Sequence, residues 1–163
     1  MSRYNKIRKE DVSNGPGIRV SIFLQGCDIH CKGCFNESTW DFDGGKELTN
    51  EKIEELLKLC KRDYIKGLSI LGGEPFAFRN FKTTLMISKK FKELYPNKTV
   101  WVWTGHLFEE IMNLPGLENI DVIVDGKFNE ELKDPNLYYR GSSNQRVIDV
   151  KKTLKENKIV LFK

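Results

Sequence analysis

The sequence predicts an α/β domain, an incomplete (β/α) barrel whose sheet is mostly parallel and open on one side. Apolar, β-prone runs at Val20–Leu24, Leu68–Leu71, Val100–Trp103 and Ile120–Val124 stand roughly 20 to 50 residues apart, the room that parallel strands need for crossover helices. Each run ends in an unusual segment: Gly26-Cys27, Gly72-Gly73-Glu74-Pro75, Thr104-Gly105-His106 and Asp125-Gly126-Lys127. The chain has 163 residues. A closed eight-unit barrel takes about 200 or more, so only about five or six units fit, in one domain spanning the whole chain.

Between the strands, Thr49-Asn50-Glu51 opens a helix that puts Ile53, Leu56, Leu57 and Cys60 on one face. Thr84–Leu94 is a second helix, stopped before Pro96, and Leu107–Leu114 a shorter third, ended by Pro115-Gly116. Trp101 and Trp103 share one strand face and read as core. Asn14–Gly17 is a turn leading into the first strand. From Asp134 onward the pattern loosens, with Arg146–Val150 and Ile159–Phe162 as candidate edge strands.

Composition narrows the function classes. Twenty-seven Lys and Arg against 23 Asp and Glu give a net charge of +4, with the two signs interspersed rather than gathered in a stripe, which argues against an obligate nucleic-acid binder. At 39% hydrophobic residues the chain can bury a core and is not expected to be disordered. The start, Met1–Lys6, has no apolar leader and no run approaches a membrane span, so the expectation is a cytoplasmic protein.

The cysteines carry the strongest signal. Cys27, Cys31 and Cys34 fall within eight positions at the end of the first strand, while Cys60 lies on the apolar face of a helix and reads as an ordinary buried thiol. Three thiolates on one short loop suit an iron-sulfur cluster or part of a zinc site. A structural zinc site needs a fourth Cys or His, and His30 lies between the ligands in sequence, where it cannot easily close on the same ion. Spacing and strand-end position favour a three-ligand 4Fe-4S cluster with one iron open, and zinc stays as the alternative. In parallel α/β folds the ligand site lies beyond the carboxyl ends of the strands, so the four unusual segments converge on one rim.

The cysteine triplet after the first strand, with Gly72-Gly73-Glu74-Pro75 after the second, resembles the radical S-adenosylmethionine superfamily. Within it, Asn14-Gly15-Pro16-Gly17-Ile18-Arg19 and Phe23-Leu24-Gln25-Gly26-Cys27 are similar to the glycyl-radical-enzyme activases. Trp101–Gly105, Val124–Phe128 and Arg140–Arg146 extend the likeness, which runs in order over about residues 10 to 150. The resemblance implies an oxidoreductase with two cofactors: a 4Fe-4S cluster on Cys27, Cys31 and Cys34, and S-adenosylmethionine chelating the open iron. It implies that Gly33, Cys34, Phe35, Gly72, Gly73 and Glu74 contact the cofactor, the glycines because a backbone without Cβ atoms can approach a ligand closely. The cofactor carries the hard chemistry, so no side-chain acid or base is expected.

The implied partner is the glycyl-radical subunit of anaerobic ribonucleoside-triphosphate reductase, or another glycyl radical enzyme, with a one-electron donor such as a flavodoxin-type protein. No membrane or direct nucleic-acid partner is expected. Two departures stand out. Gly33 occupies the place before the third cysteine where many members carry an aromatic that touches adenine, leaving Phe35 or the backbone around it for that contact, and His106 stands where a tyrosine is expected. His106 is given no catalytic role. Arg140, Gly141, Ser142, Ser143 and Asn144 form a polar loop whose donors could fix an extended backbone, and it is expected to seat or cover the partner's glycine segment. From other classes, an iron-sulfur electron carrier would use the same thiolates with a fourth cysteine, and a zinc-stabilised nucleic-acid module would use them with the positive charge.

Overall fold

The protein is described here from a computed structural model covering residues 2–163. Its elements run β1 (Arg3–Asp11), β2 (Ile18–Gln25), β3 (Lys46–Glu47), α1 (Asn50–Leu59), β4 (Ile65–Gly72), α2 (Phe81–Leu94), β5 (Thr99–Trp103), α3 (Phe108–Ile111), β6 (Val122–Asp125), β7 (Arg146–Asp149) and α4 (Val150–Glu156). All seven strands form one sheet in the order β3-β1-β2-β4-β5-β6-β7, which does not close on itself. The four central strands β2, β4, β5 and β6 run parallel, and antiparallel strands flank them on both sides.

Local signals explain most of these boundaries. The Thr49 hydroxyl accepts the Lys52 amide at 3.1 Å and caps α1, and α2 stops at Tyr95 ahead of Pro96. The structure departs from the expected elements in the edges. β1 is added before the first expected strand; its run of charges hides a strand in which Tyr4 and Asp11 are buried and most other residues face out. The third helix keeps only Phe108–Ile111 of the expected Leu107–Leu114. Val150 starts α4 rather than ending a strand, because Asp149 caps the helix by accepting the Lys152 amide, and Ile159–Phe162 is reduced to a single bridge from Leu161 to Ile148.

The two faces of the sheet differ in kind. On one, Val20, Ile22 and Leu24 of β2, Leu68 and Ile70 of β4, and Val100 and Val102 of β5 join apolar residues from all four helices in the main core. The alternate residues point the other way, and there Arg19, Ser21, Ser69 and Trp101 are buried without a helix over them. Arg19 donates to the Ser69 hydroxyl at 2.8 Å, to the Leu68 and Thr99 carbonyls, and to Pro16 of the loop covering this face. Burial draws its guanidinium down to about 10, so it stays charged at neutral pH. Trp101 and Trp103 do lie on one face, in a second cluster with Val122, Val124, Tyr139 and Val147.

Parallel pairing also aligns the strand ends. Leu24 lies opposite Gly72, Ile70 opposite Val102 and Trp103 opposite Val124, so the segments that follow β2, β4, β5 and β6 emerge on one rim.

Candidate cofactor site

Beyond β2 the chain is pinned before it reaches the cysteines. The Gly26 amide donates to the Thr39 carbonyl at 2.6 Å and the Cys27 amide to the Trp40 carbonyl at 3.0 Å, so the intervening loop is tied at its neck. Within it, the Cys27 thiol accepts backbone N–H groups of Ile29 and His30, the Cys31 thiol that of Phe128, and the Cys34 thiol that of Asn36 at 3.3 Å. His30 takes a left-handed backbone, with φ of 52°, in the turn that offers these amides to Cys27. The three free thiols line one cleft of about 690 Å3, together with Gly72, Gly73 and Glu74 from the end of β4.

Glu74 fixes the opposite wall. Fully buried, its carboxylate accepts the Thr104 hydroxyl at 2.6 Å, the Gly105 amide at 2.7 Å and the Phe76 amide at 2.8 Å. Its own amide donates to the Gly26 carbonyl at 2.8 Å, and the Asn80 side chain spans the Gln25 and Glu74 carbonyls. Burial pushes the Glu74 carboxyl up, while the three donors favour the anion. The Gly73 amide donates to Leu24, and a Cβ on Gly73 would run into the Gly26 carbonyl. Glycine is required there by the neighbouring strand end.

The donor set fits an iron-sulfur cluster. Thiols that accept backbone N–H groups in a cleft at strand ends are the ligands such a cluster takes, and hydrogen bonds to sulfur are one of the means by which proteins set its potential. A family model described as a 4Fe-4S single cluster domain matches residues 13–148. The chain is 40% identical over 144 residues to the anaerobic ribonucleoside-triphosphate reductase-activating protein of Enterobacteria phage T4, an alignment covering 88% of this chain and 92% of the relative. The proteins of that name from Vibrio cholerae and Escherichia coli K12 are 40% identical over 146 residues and 37% over 148, covering 94% and 96% of their own lengths and 87% and 88% of this chain.

The chain belongs to this family of 4Fe-4S reductase-activating proteins.

Residues around the three thiols divide into those at the cleft and those away from it. Gly33, with φ of 74°, takes a backbone state that suits glycine, and a Cβ there would run into the Glu130 carboxyl. Phe35 is exposed at the cleft, tilted on Phe128 with ring centroids 5.0 Å apart and topped by the Lys133 ammonium at 5.1 Å. His106 is half-buried beside Glu110, its Nδ1 at 3.7 Å from the carboxylate. Cys60 is fully buried at the end of α1, its thiol against the Leu56 carbonyl, and takes no part in the cleft. Among the described residues, no three His, Cys, Asp or Glu side chains converge to chelate one metal ion, and no helix is long and apolar enough to cross a membrane.

The 140–146 loop is tied into the protein by its own donors. Its donors are largely spent within the protein: Arg140 donates to the Ser143 and Gln145 carbonyls, Asn144 to the Lys127 carbonyl, and Arg146 pairs at 2.6 Å with buried Asp125. Ser142 is buried and accepts the Asn129 amide, and the Ser143 amide donates to Leu132. Arg140 and Gly141 face the cleft, whereas Asn144 borders a smaller pocket beside Lys127. Sequence patterns, tuned to runs of polar residues, do not show that such donors satisfy one another. They also pass over Trp40 and Asn80, which stand outside any periodic run and whose one signal is an aromatic or an amide in a polar loop.

Burial raises the Cys27 and Cys31 thiols and pushes Cys60 up to about 12. In the metal-free protein, alkylation at pH 7 followed by mass spectrometry is expected to leave Cys60 unlabelled until urea unfolds the chain. Raising the pH toward 9 speeds labelling of Cys31, because a raised thiol yields more thiolate only as pH climbs. Labelling of Cys60 in the folded protein at pH 7 would contradict this placement.

Proposed function

We propose that this chain is a radical S-adenosylmethionine enzyme that installs a glycyl radical on anaerobic ribonucleoside-triphosphate reductase. The observation that carries the reading is the meeting of three thiols, and no fourth, with the Gly72–Glu74 wall in one open cleft at the strand ends. The cleft lies within the range of about 300 to 1,000 Å3 typical of cofactor pockets. A closed site for a single zinc ion needs four ligands converging on a point, whereas a cluster takes each thiolate on a separate iron. The relatives' names identify the reductase as what those proteins activate.

In this reading Cys27, Cys31 and Cys34 hold a 4Fe-4S cluster, and Gly72, Gly73 and the Gly33–Phe35 segment line the space for S-adenosylmethionine. Glu74 holds that wall in place through Thr104 and Gly105 instead of bonding the ligand with its own carboxylate. When bound and supplied with one electron from a flavodoxin-type donor, these cofactors provide reductive cleavage to methionine and a 5'-deoxyadenosyl radical that takes the α-hydrogen of a partner glycine. No side chain of the cleft has to move a proton. The protein's share of the work is placement and exclusion of water, with Phe23, Leu71 and Trp103 giving the cleft its apolar surface. An incomplete barrel open on one side admits a segment of a folded partner, and the sheet here does not close. Arg140 and Gly141 stand on the cleft wall where that segment would enter.

Anaerobic reconstitution tests the reading. Cys27→Ala, Cys31→Ala and Cys34→Ala are each expected to lose the bound iron and sulfide, and Cys60→Ala to keep them; with dithionite, the parent releases 5'-deoxyadenosine from S-adenosylmethionine. Equal loss of iron in Cys60→Ala would replace the open site by a closed four-thiolate one, and iron without cleavage would make the chain an electron carrier.

Arg140→Ala unties the loop from Ser143 and Gln145 without touching a thiol. It is expected to keep the cluster and uncoupled cleavage but to lower, several-fold, the glycyl radical formed per 5'-deoxyadenosine released. If both yields fall together the loop belongs to folding or cofactor binding, and if neither changes it has no role in seating the partner.

A further inference from the structure

Among the described residues, one buried side-chain donor has no hydrogen-bond partner, the indole N–H of Trp40. Buried polar groups are almost always paired, and an orphan at a functional site points to a missing partner. This one borders the cysteine cleft. Its surroundings tie it to Cys27 in two ways, one direct and one through His30. The Trp40 carbonyl accepts the Cys27 amide at 3.0 Å. The Cys27 thiol accepts the amide of His30. The His30 ring in turn stacks on the Trp40 indole, nearly parallel, with centroids 4.4 Å apart.

A left-handed residue and a stacked aromatic pair hold the indole beside the cysteine loop. The stack fixes the indole plane from His30, which lies on the turn that shapes the Cys27 ligand.

We infer that the Trp40 indole N–H is completed by the occupant of the cleft, donating a hydrogen bond to a sulfur of the iron-sulfur cluster on the Cys27 side. This rests on the reading of the cleft as a cluster site and adds to it a residue that tunes the cluster. A donor to sulfur stabilises the more negative, reduced state, so Trp40 raises the reduction potential and eases the one-electron reduction the proposed reaction needs. His30 is a positioning residue, acting through the stack.

Two measurements on the anaerobically loaded protein test this apart from activity. Trp40→Phe keeps an aromatic ring for the stack and removes the N–H. At equal iron content, its cluster is expected to need a more negative potential, with the reduced-to-oxidised ratio at a fixed potential falling about tenfold, which is about 59 mV for a one-electron couple. A change in that ratio of less than twofold would overturn the inference. The second measurement needs no variant: with 15N-indole tryptophan in the parent chain, loading with iron and sulfide is expected to shift the Trp40 N–H resonance and slow its exchange with solvent at least tenfold, with Trp103, whose N–H is already bonded to the Tyr139 carbonyl, as the internal reference. Exchange at Trp40 that is as fast in the loaded as in the metal-free protein would show that water is the partner, and would overturn the inference even if Trp40→Phe failed to fold. A parent chain that binds no iron contradicts the functional reading itself; a loaded parent with Trp40 unmoved contradicts this inference alone.

Discussion

The carboxylate of Glu74 is buried where three strand ends meet, and the placement of the cysteine loop depends on it. Its oxygens bind the Thr104 hydroxyl and Gly105 amide beyond β5, while its backbone amide holds the Gly26 carbonyl beyond β2. Gly26 is in turn the neck of the loop that carries Cys27. Burying a carboxylate without a cation is costly, and here the cost is offset by three directed donors rather than by an ion pair. The consequence is a rim whose segments keep fixed relative positions in an open cleft, a prerequisite for any cofactor held partly by one strand end and partly by another.

The same economy of direct contacts explains the sheet. All four helices contribute to one core, and the face they leave is filled by Arg19, Ser69 and the loop through Asn14 and Pro16, joined by hydrogen bonds. A buried guanidinium that binds carbonyls and hydroxyls on neighbouring strands locks β2, β4 and β5 together from the side that carries no helix. Polar cross-links and the Trp101 cluster hold this face without a layer of helices.

The parallel strands and the three-thiol loop are legible in the sequence because both signals are local. Val20–Leu24 and Leu68–Leu71 are apolar runs of strand length, and Cys27, Cys31 and Cys34 are crowded as ligands are. Features that depend on distant pairs are not legible. β1 hides in a charged run because it is an antiparallel strand with one side toward solvent. The Ser143 amide and the Asn144 side chain donate to the Leu132 and Lys127 carbonyls and the Ser142 hydroxyl accepts from Asn129, contacts that no pattern within the loop reveals. Glu74 is visible as part of Gly72-Gly73-Glu74-Pro75, yet its bonds to Thr104 and Gly105 cross 30 and 31 residues, and only the fold shows that its oxygens are taken.

The central claim is that the cleft generates a radical which leaves this chain for a glycine on another. Electron paramagnetic resonance of anaerobic ribonucleoside-triphosphate reductase, after anaerobic incubation with the iron-loaded protein, a reductant and S-adenosylmethionine, tests it most directly. The account predicts a doublet split by the remaining α-hydrogen of a glycyl radical, which collapses to a singlet when the reductase carries α-deuterated glycine and is absent when Cys31→Ala replaces the parent. Release of 5'-deoxyadenosine in the same sample with no glycyl signal on the reductase would contradict it.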